Sequence, residues 1–148
     1  MSMTALKPTV VTASALTLDY SHHNEGLVVV NAATGCTVTL PAATGSGSRF
    51  RILVGTTISS GSFKLQVANA SDTMAGHITT SIATGAAGAD FGEALTGTDD
   101  TITCNGTTTG GIAGSYIEAE DVAANLWRIN GALIGSGSVT SSVSAAVS

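Results

Sequence analysis

Charge is scarce in this chain. Only 10% of its 148 residues are charged, against roughly 25% in an ordinary globular domain. The basic residues are five, Lys7, Arg49, Arg51, Lys64 and Arg128, and the net charge is −5. No cluster among them could neutralise several phosphates, so no nucleic-acid partner is expected. Long apolar runs are also missing. None reaches the roughly 18 residues of a membrane helix, and the opening MSMTALKPTVV lacks the apolar stretch of a signal peptide. The expectation is a soluble product of the cytoplasm with no membrane partner.

Bulky side chains are few: one Trp, two Tyr and three Phe. A fully buried Leu, Val or Phe contributes roughly 1.5–3 kcal/mol, so the core is expected to be thin and to gain stability by burial against copies of the chain. Cysteine is limited to Cys36 and Cys104, with no CxxC partner, which argues against a four-ligand zinc site. Both sit in strand-like alternation, Cys36 with Val38 and Cys104 with Ile102. Two buried thiols or a disulfide are both open.

What is present is small. Alanine, glycine, serine and threonine make up about half of the chain, well above their usual share. Period-two alternation recurs in Leu16-Thr17-Leu18, Cys36 to Leu40, Phe50-Ile52-Val54, Phe63-Leu65-Val67, Thr101 to Cys104, and two late segments, 116–121 and 126–130. The run 27–31 is continuously apolar, as in a strand covered on both faces. Glycine, serine and Asn-Gly signals separate these segments. No segment sustains helical spacing; 119–126 allows one turn at most. The pattern predicts an all-β, single-domain β-sandwich or barrel-like fold of about ten short strands. An N-terminal arm or edge strand (1–15) precedes a β domain (16–134), and a small-residue tail (135–148) is either flexible or ordered by a neighbour. No repeat of fixed period is found, so a β-solenoid is not predicted. Segments 36–40 and 49–54, joined by small residues after Pro41, read as a long-looped hairpin. Segment 83–98 has no clear assignment.

Chemistry-bearing motifs are weak. Asp19, His22, His23 and Glu25 lie close together, but neighbouring histidines do not readily converge on one ion, and a solvated turn is the plainer reading. Asp99-Asp100 lacks the alternating acids of a calcium loop. Gly45-Ser46-Gly47 is followed by neither Gly-Lys-Ser/Thr nor a helix, so it is not a phosphate loop. No G-x-S-x-G elbow accompanies the serines and His22, His23 and His77. Asn69-Ala70-Ser71 and Asn105-Gly106-Thr107 match the glycosylation triplet, which carries little weight without a signal peptide. No catalytic residue, metal or cofactor is assigned, and the chain is not read as an enzyme.

The stretch TVTLPAATGSG (37–47) leads into the aromatic-led strand at Phe50. Together with Leu16-Thr17-Leu18-Asp19, the strand at 27–31 and Leu126-Trp127-Arg128-Ile129-Asn130-Gly131, it resembles small bacteriophage virion structural proteins. Those proteins coat heads or build fibres and stalks, usually as trimers. The resemblance covers about half of the chain. It implies a capsid decoration (cement) protein, made in the host cytoplasm and located on the head surface, with itself and the major capsid protein as partners. The alternatives are a tail-fibre, spike or receptor-binding module, and a carbohydrate-binding β-sandwich. Candidate subunit or capsid contacts are Val10, Val11, Phe91, Tyr116, Trp127 and Val139, with 1–12 and the tail as contact segments. Trp127 also has the plainer reading of a core residue, since Trp is both a core filler and an interface anchor.

Overall fold

A computed structural model describes residues 7–148. It is nearly all β. The strands are β1 (Thr9–Val11), β2 (Ala15–Thr17), β3 (Leu27–Val30), β4 (Cys36–Thr39), β5 (Arg49–Val54), β6 (Phe63–Gln66), β7 (Thr73–Ile82), β8 (Phe91–Asp99), β9 (Thr101–Cys104), β10 (Tyr116–Ala123), β11 (Leu126–Gly135) and β12 (Val143–Ser144). One short helix, α1 (Tyr20–His23), lies in the segment read as a polar turn. Residues 1–6 of the predicted N-terminal arm lie outside the described residues, and the remainder supplies the edge strand β1.

Two mixed sheets enclose one apolar cluster. The seven-stranded sheet runs β1-β3-β5-β10-β11-β7-β8 and the five-stranded sheet runs β12-β9-β6-β4-β2. From β1 to β7 the chain changes sheet at every strand. Strands β1, β3 and β5 pair in parallel in one sheet, and β2, β4 and β6 pair in parallel in the other. The first half is therefore wound as a coil, with parallel strands and unequal crossovers. This corrects one expectation. The segments on either side of Pro41 are not a hairpin, because β4 and β5 belong to opposite sheets. The physical reason is that alternation reports which face of a strand is buried, and says nothing about its neighbour. Val38 and Phe50 both point into the core whether the link between them is a turn or a passage between sheets.

The second half closes the coil. The β10–β11 hairpin inserts between β5 and β7, antiparallel to β5 through β10 and parallel to β7 through β11. Strand β7 begins at Thr73, and the unassigned segment supplies β8, which is antiparallel to β7 and anchored by buried Leu95. The tail is ordered by its own chain. Strand β12 pairs with β9, Asp100 Oδ1 accepts from Ala146 N (2.7 Å) and Val147 N (3.1 Å), and Glu93 Oε1 accepts from Ser142 N (3.0 Å).

The core is not thin. Trp127, Phe50, Phe63, Met74 and a set of Leu and Ile side chains are fully buried, and Phe50 meets Trp127 edge-on with centroids 5.7 Å apart. The chain exposes 7011 Å² for its 14.6 kDa, close to the roughly 6,900 Å² of an ordinary monomer of that mass. Few large side chains suffice because nearly all of them face inward.

Candidate interaction face

The outer surface of the seven-stranded sheet is assembled by register. One row crosses every strand: Val10 is level with Val29, then Leu53, Tyr116, Ala132, Thr79 and Gly92. Its first five members are apolar or aromatic. Val10 is 58% exposed, the largest value among the bulky apolar side chains described; Val29, Leu53 and Tyr116 are half-buried and Ala132 is exposed. The continuously apolar β3 is thus covered on one side only, by the core through Val28 and Val30, while Leu27 and Val29 face outward.

Below that row the face is charged. Arg51 is level with Glu118, and Glu120 sits between Arg49 and Arg128 in the next row. Glu120 Oε2 accepts from Arg128 Nη1 at 3.3 Å, and its Oε1 lies 3.8 Å from Arg49 Nε. Arg51 Nη2 donates to the Glu25 carbonyl at 2.9 Å. All the arginines of the chain share this face. Ion pairs this exposed contribute about 0–1 kcal/mol each, so their weight lies in orientation. Partial burial, then the nearby Glu118 carboxylate, push the Tyr116 hydroxyl up from its ordinary value.

The outer surface of the five-stranded sheet differs. Its rows are Ala15, Thr37, Lys64, Thr103 and Thr17, Thr39, Gln66, the second ending on buried Thr101. It is short, threonine-rich and without a large apolar side chain.

Behind the charged rows, β10 carries a buried acid. The alternation Ile117, Ala119, Asp121 turns Asp121 inward, and it is fully buried. The loop after Pro41 closes on it. Asp121 accepts from the backbone N–H of Thr44 (3.0 Å), Gly45 (2.7 Å) and Ser46 (3.0 Å), and from the Thr44 (3.0 Å) and Ser46 (2.7 Å) hydroxyls. Tyr20 Oη lies 2.8 Å from Asp121 Oδ2 and 2.6 Å from the Ala42 carbonyl, sharing one proton between them. Gly47 N and Asp121 O, and Asp121 N and Ser48 O, complete the wrap. Gly45 (φ 78°) and Gly47 (φ 75°) take the left-handed backbone that turns these amides inward. Burial raises the Asp121 carboxyl, but the hydrogen bonds from Ser46, Gly45 and Thr44 outweigh it and hold the group well below the usual carboxylate range. The loop rejected as a phosphate cradle does gather its amides around an anion, and the anion is the chain's own. Asp121 was missed in the sequence. The available signal was an acid at an inward position of an alternating strand.

The predicted contact residues separate. Val10 and Tyr116 come together in the apolar row. Phe91 is half-buried on β8 at the far edge, and Val139 is half-buried in the tail. Trp127 and Val11 are buried in the core and present no free surface. Cys36 and Cys104 are both free and buried. Each is level with Phe63, one on β4 and one on β9, with β6 between them. Two ladder spacings separate their backbones by about 9–10 Å, beyond disulfide reach. The disulfide alternative therefore falls, and buried thiols remain.

Asp19 caps α1, accepting from Ser21 Oγ, His22 N and His22 Nδ1, each at 2.8 Å. The Ser21 and His22 hydrogen bonds hold its carboxyl well below the usual range. The ring of His23 uses Nδ1 to accept from Asp19 N at 3.0 Å, so that nitrogen carries no proton to share with the carboxylate 3.7 Å away. No group of three or more metal-ligating side chains converges among the described residues.

No family model, curated protein or solved structure matches this chain.

Proposed function

We propose that this chain is a bacteriophage capsid decoration (cement) protein, a homotrimer that binds the outer surface of the head and stabilises it without catalysis. The observation that carries the reading is the partly exposed apolar row from Val10 to Ala132 on a sheet whose other side is already packed. Apolar surface continued across several strands and rimmed by charge marks a protein contact. The resemblance of the 37–47 stretch to virion proteins supplies the setting. In that setting each protomer adds buried area across junctions of the major capsid protein, and many modest contacts sum over the shell. Adding purified protein to undecorated heads tests the role. Saturable binding with a raised temperature of DNA release is expected, and absence of both removes the decoration reading.

A tail-fibre or spike module is a second reading, favoured by the parallel winding of β1 to β6, a geometry that extends along one axis. Labelled antibody on intact virions separates the two: label confined to the tail rejects the head assignment.

A further inference from the structure

We infer that the occupant of the apolar row is a second copy of this chain, so that protomers associate through the outer face of their seven-stranded sheets, with the arginine–glutamate rows setting register. The inference rests on reading this face as a protein contact, and it adds the partner.

Three observations carry it. The first is continuity of burial. The sequence of β3 is that of a strand covered on both sides, and its outward members Leu27 and Val29 are only half-buried by the described residues. The second is extent. Seven strands about 4.8 Å apart span about 29 Å, and the apolar row runs across the first five of them, from the edge strand β1 to β11. The third is charge. The chain as a whole is −5, yet this face holds Arg49, Arg51 and Arg128 with Glu118 and Glu120 interleaved between them. A face made for an acidic foreign surface would carry one sign. Alternating signs find their complement in the same pattern on another copy, because a shift or rotation of one row opposes arginine to glutamate.

The test uses the full chain and light scattering from about 1 to 200 µM, with the fluorescence of buried Trp127 and a thermal melt reporting the fold. Wild type is expected to be oligomeric. Leu53→Asp and Ala132→Glu are each expected to weaken association at least 100-fold while remaining folded. Ala132 is exposed, so it serves even where Leu53→Asp unfolds. Lys64→Glu, on the outer face of the other sheet, is expected to leave association unchanged. A wild type that stays monomeric throughout overturns the inference. So does an oligomer that survives Ala132→Glu, or one that Lys64→Glu disrupts equally. Binding to heads is scored separately. A monomer that binds heads removes self-association alone, and an oligomer that ignores heads removes the decoration role alone.

Discussion

The two halves of the molecule are built on opposite rules. From β1 to β6 every ladder between strands of this half is parallel and every link crosses between sheets. From β7 onward the added ladders are antiparallel, except where β11 runs along β7. A parallel coil leaves its growing end open, with unpaired edges and an exposed core. The second half supplies what it lacks: a hairpin against β5, β9 against β6 with β12 beyond it, and a grip on the long loop. That grip is polar. Besides Asp121, Asp72 Oδ2 accepts from Ala43 N at 3.0 Å, Asn125 N donates to the Ala43 carbonyl at 3.3 Å, and Thr44 forms a bridge with Ala124. The loop after Pro41 provides the amides of Ala43, Thr44, Gly45 and Ser46, and Asp72 and Asp121 provide the carboxylates. Two sets of strands with different pairing rules are thus joined by two antiparallel ladders, β5–β10 and β6–β9, and by a charge-assisted network at the loop.

Cutting that joint gives the largest predicted effect. Asp121→Ala leaves the amides of Thr44, Gly45 and Ser46 without their acceptor, and each buried donor left unsatisfied costs about 1–3 kcal/mol. Together that is a large part of the roughly 5–15 kcal/mol that stabilises an ordinary domain. Urea unfolding at neutral pH checks it, and a loss under 1 kcal/mol would show the latch to be redundant. The same acid predicts a pH dependence. Its folded value lies below its unfolded value near 3.9. The latch therefore contributes in full above about pH 4 and is lost as pH falls through the folded value. The urea midpoint should decline with acidification in that range. Asp121→Asn should flatten the decline, leaving the share owed to Asp19.

Next in size is the seam between β11 and β7. Gly76 (φ 148°) is level with Ile129, and a Cβ there would collide with the Ile129 carbonyl oxygen. Gly76→Ala must push two central strands apart in a closely packed interior, at an expected cost of about 2–3 kcal/mol. Gly47→Ala meets no neighbouring atom and bears only the cost of its positive φ, about 1 kcal/mol. A thermal melt of both checks the order. Equal losses would mean that backbone conformation, and not the close approach, requires glycine in the closing half.

The same contrast explains what the sequence could reveal. In the closing half, strands 116–121 and 126–130 were legible with their turn, because an antiparallel hairpin places sequence neighbours side by side. In the winding half the inward residues Val38, Leu40, Phe50, Ile52 and Val54 were legible and their pairing was not, because parallel partners lie far apart in sequence. Leu16 is level with Val38 and Val38 with Leu65, separations that local alternation does not encode. Strand β8 was hidden for another reason: its Gly92, Ala94, Gly97 and Thr98 give almost no contrast between buried and exposed positions. The proposed contact face was half legible. Val10 and Tyr116 were named, but Leu53 and Ala132 join them only through cross-strand register. Trp127 had a core reading, the plainer one, and an interface reading, and its full burial decides for the core.

The two thiols test the comparison most finely, because Cys36 belongs to the winding half and Cys104 to the closing half. A disulfide between them would have stapled the halves covalently. Instead the β6 residue Phe63 stands between them in the same row, so the polar latch at Asp121 has no covalent counterpart. Burial pushes both thiols up, Cys104 to about 12 with the Glu93 carboxylate adding to the effect. Since the thiolate is the reactive form, neither should be alkylated while the fold is intact. The expected result with iodoacetamide at pH 8 is no labelling of native protein over hours, two labels in denaturant, and one mobility on non-reducing gels. Air oxidation should leave the melting temperature unchanged. Rapid native labelling of Cys104 alone would mean that β9 and the tail strand β12 open independently of the coil, and the closing half would then be two units rather than one.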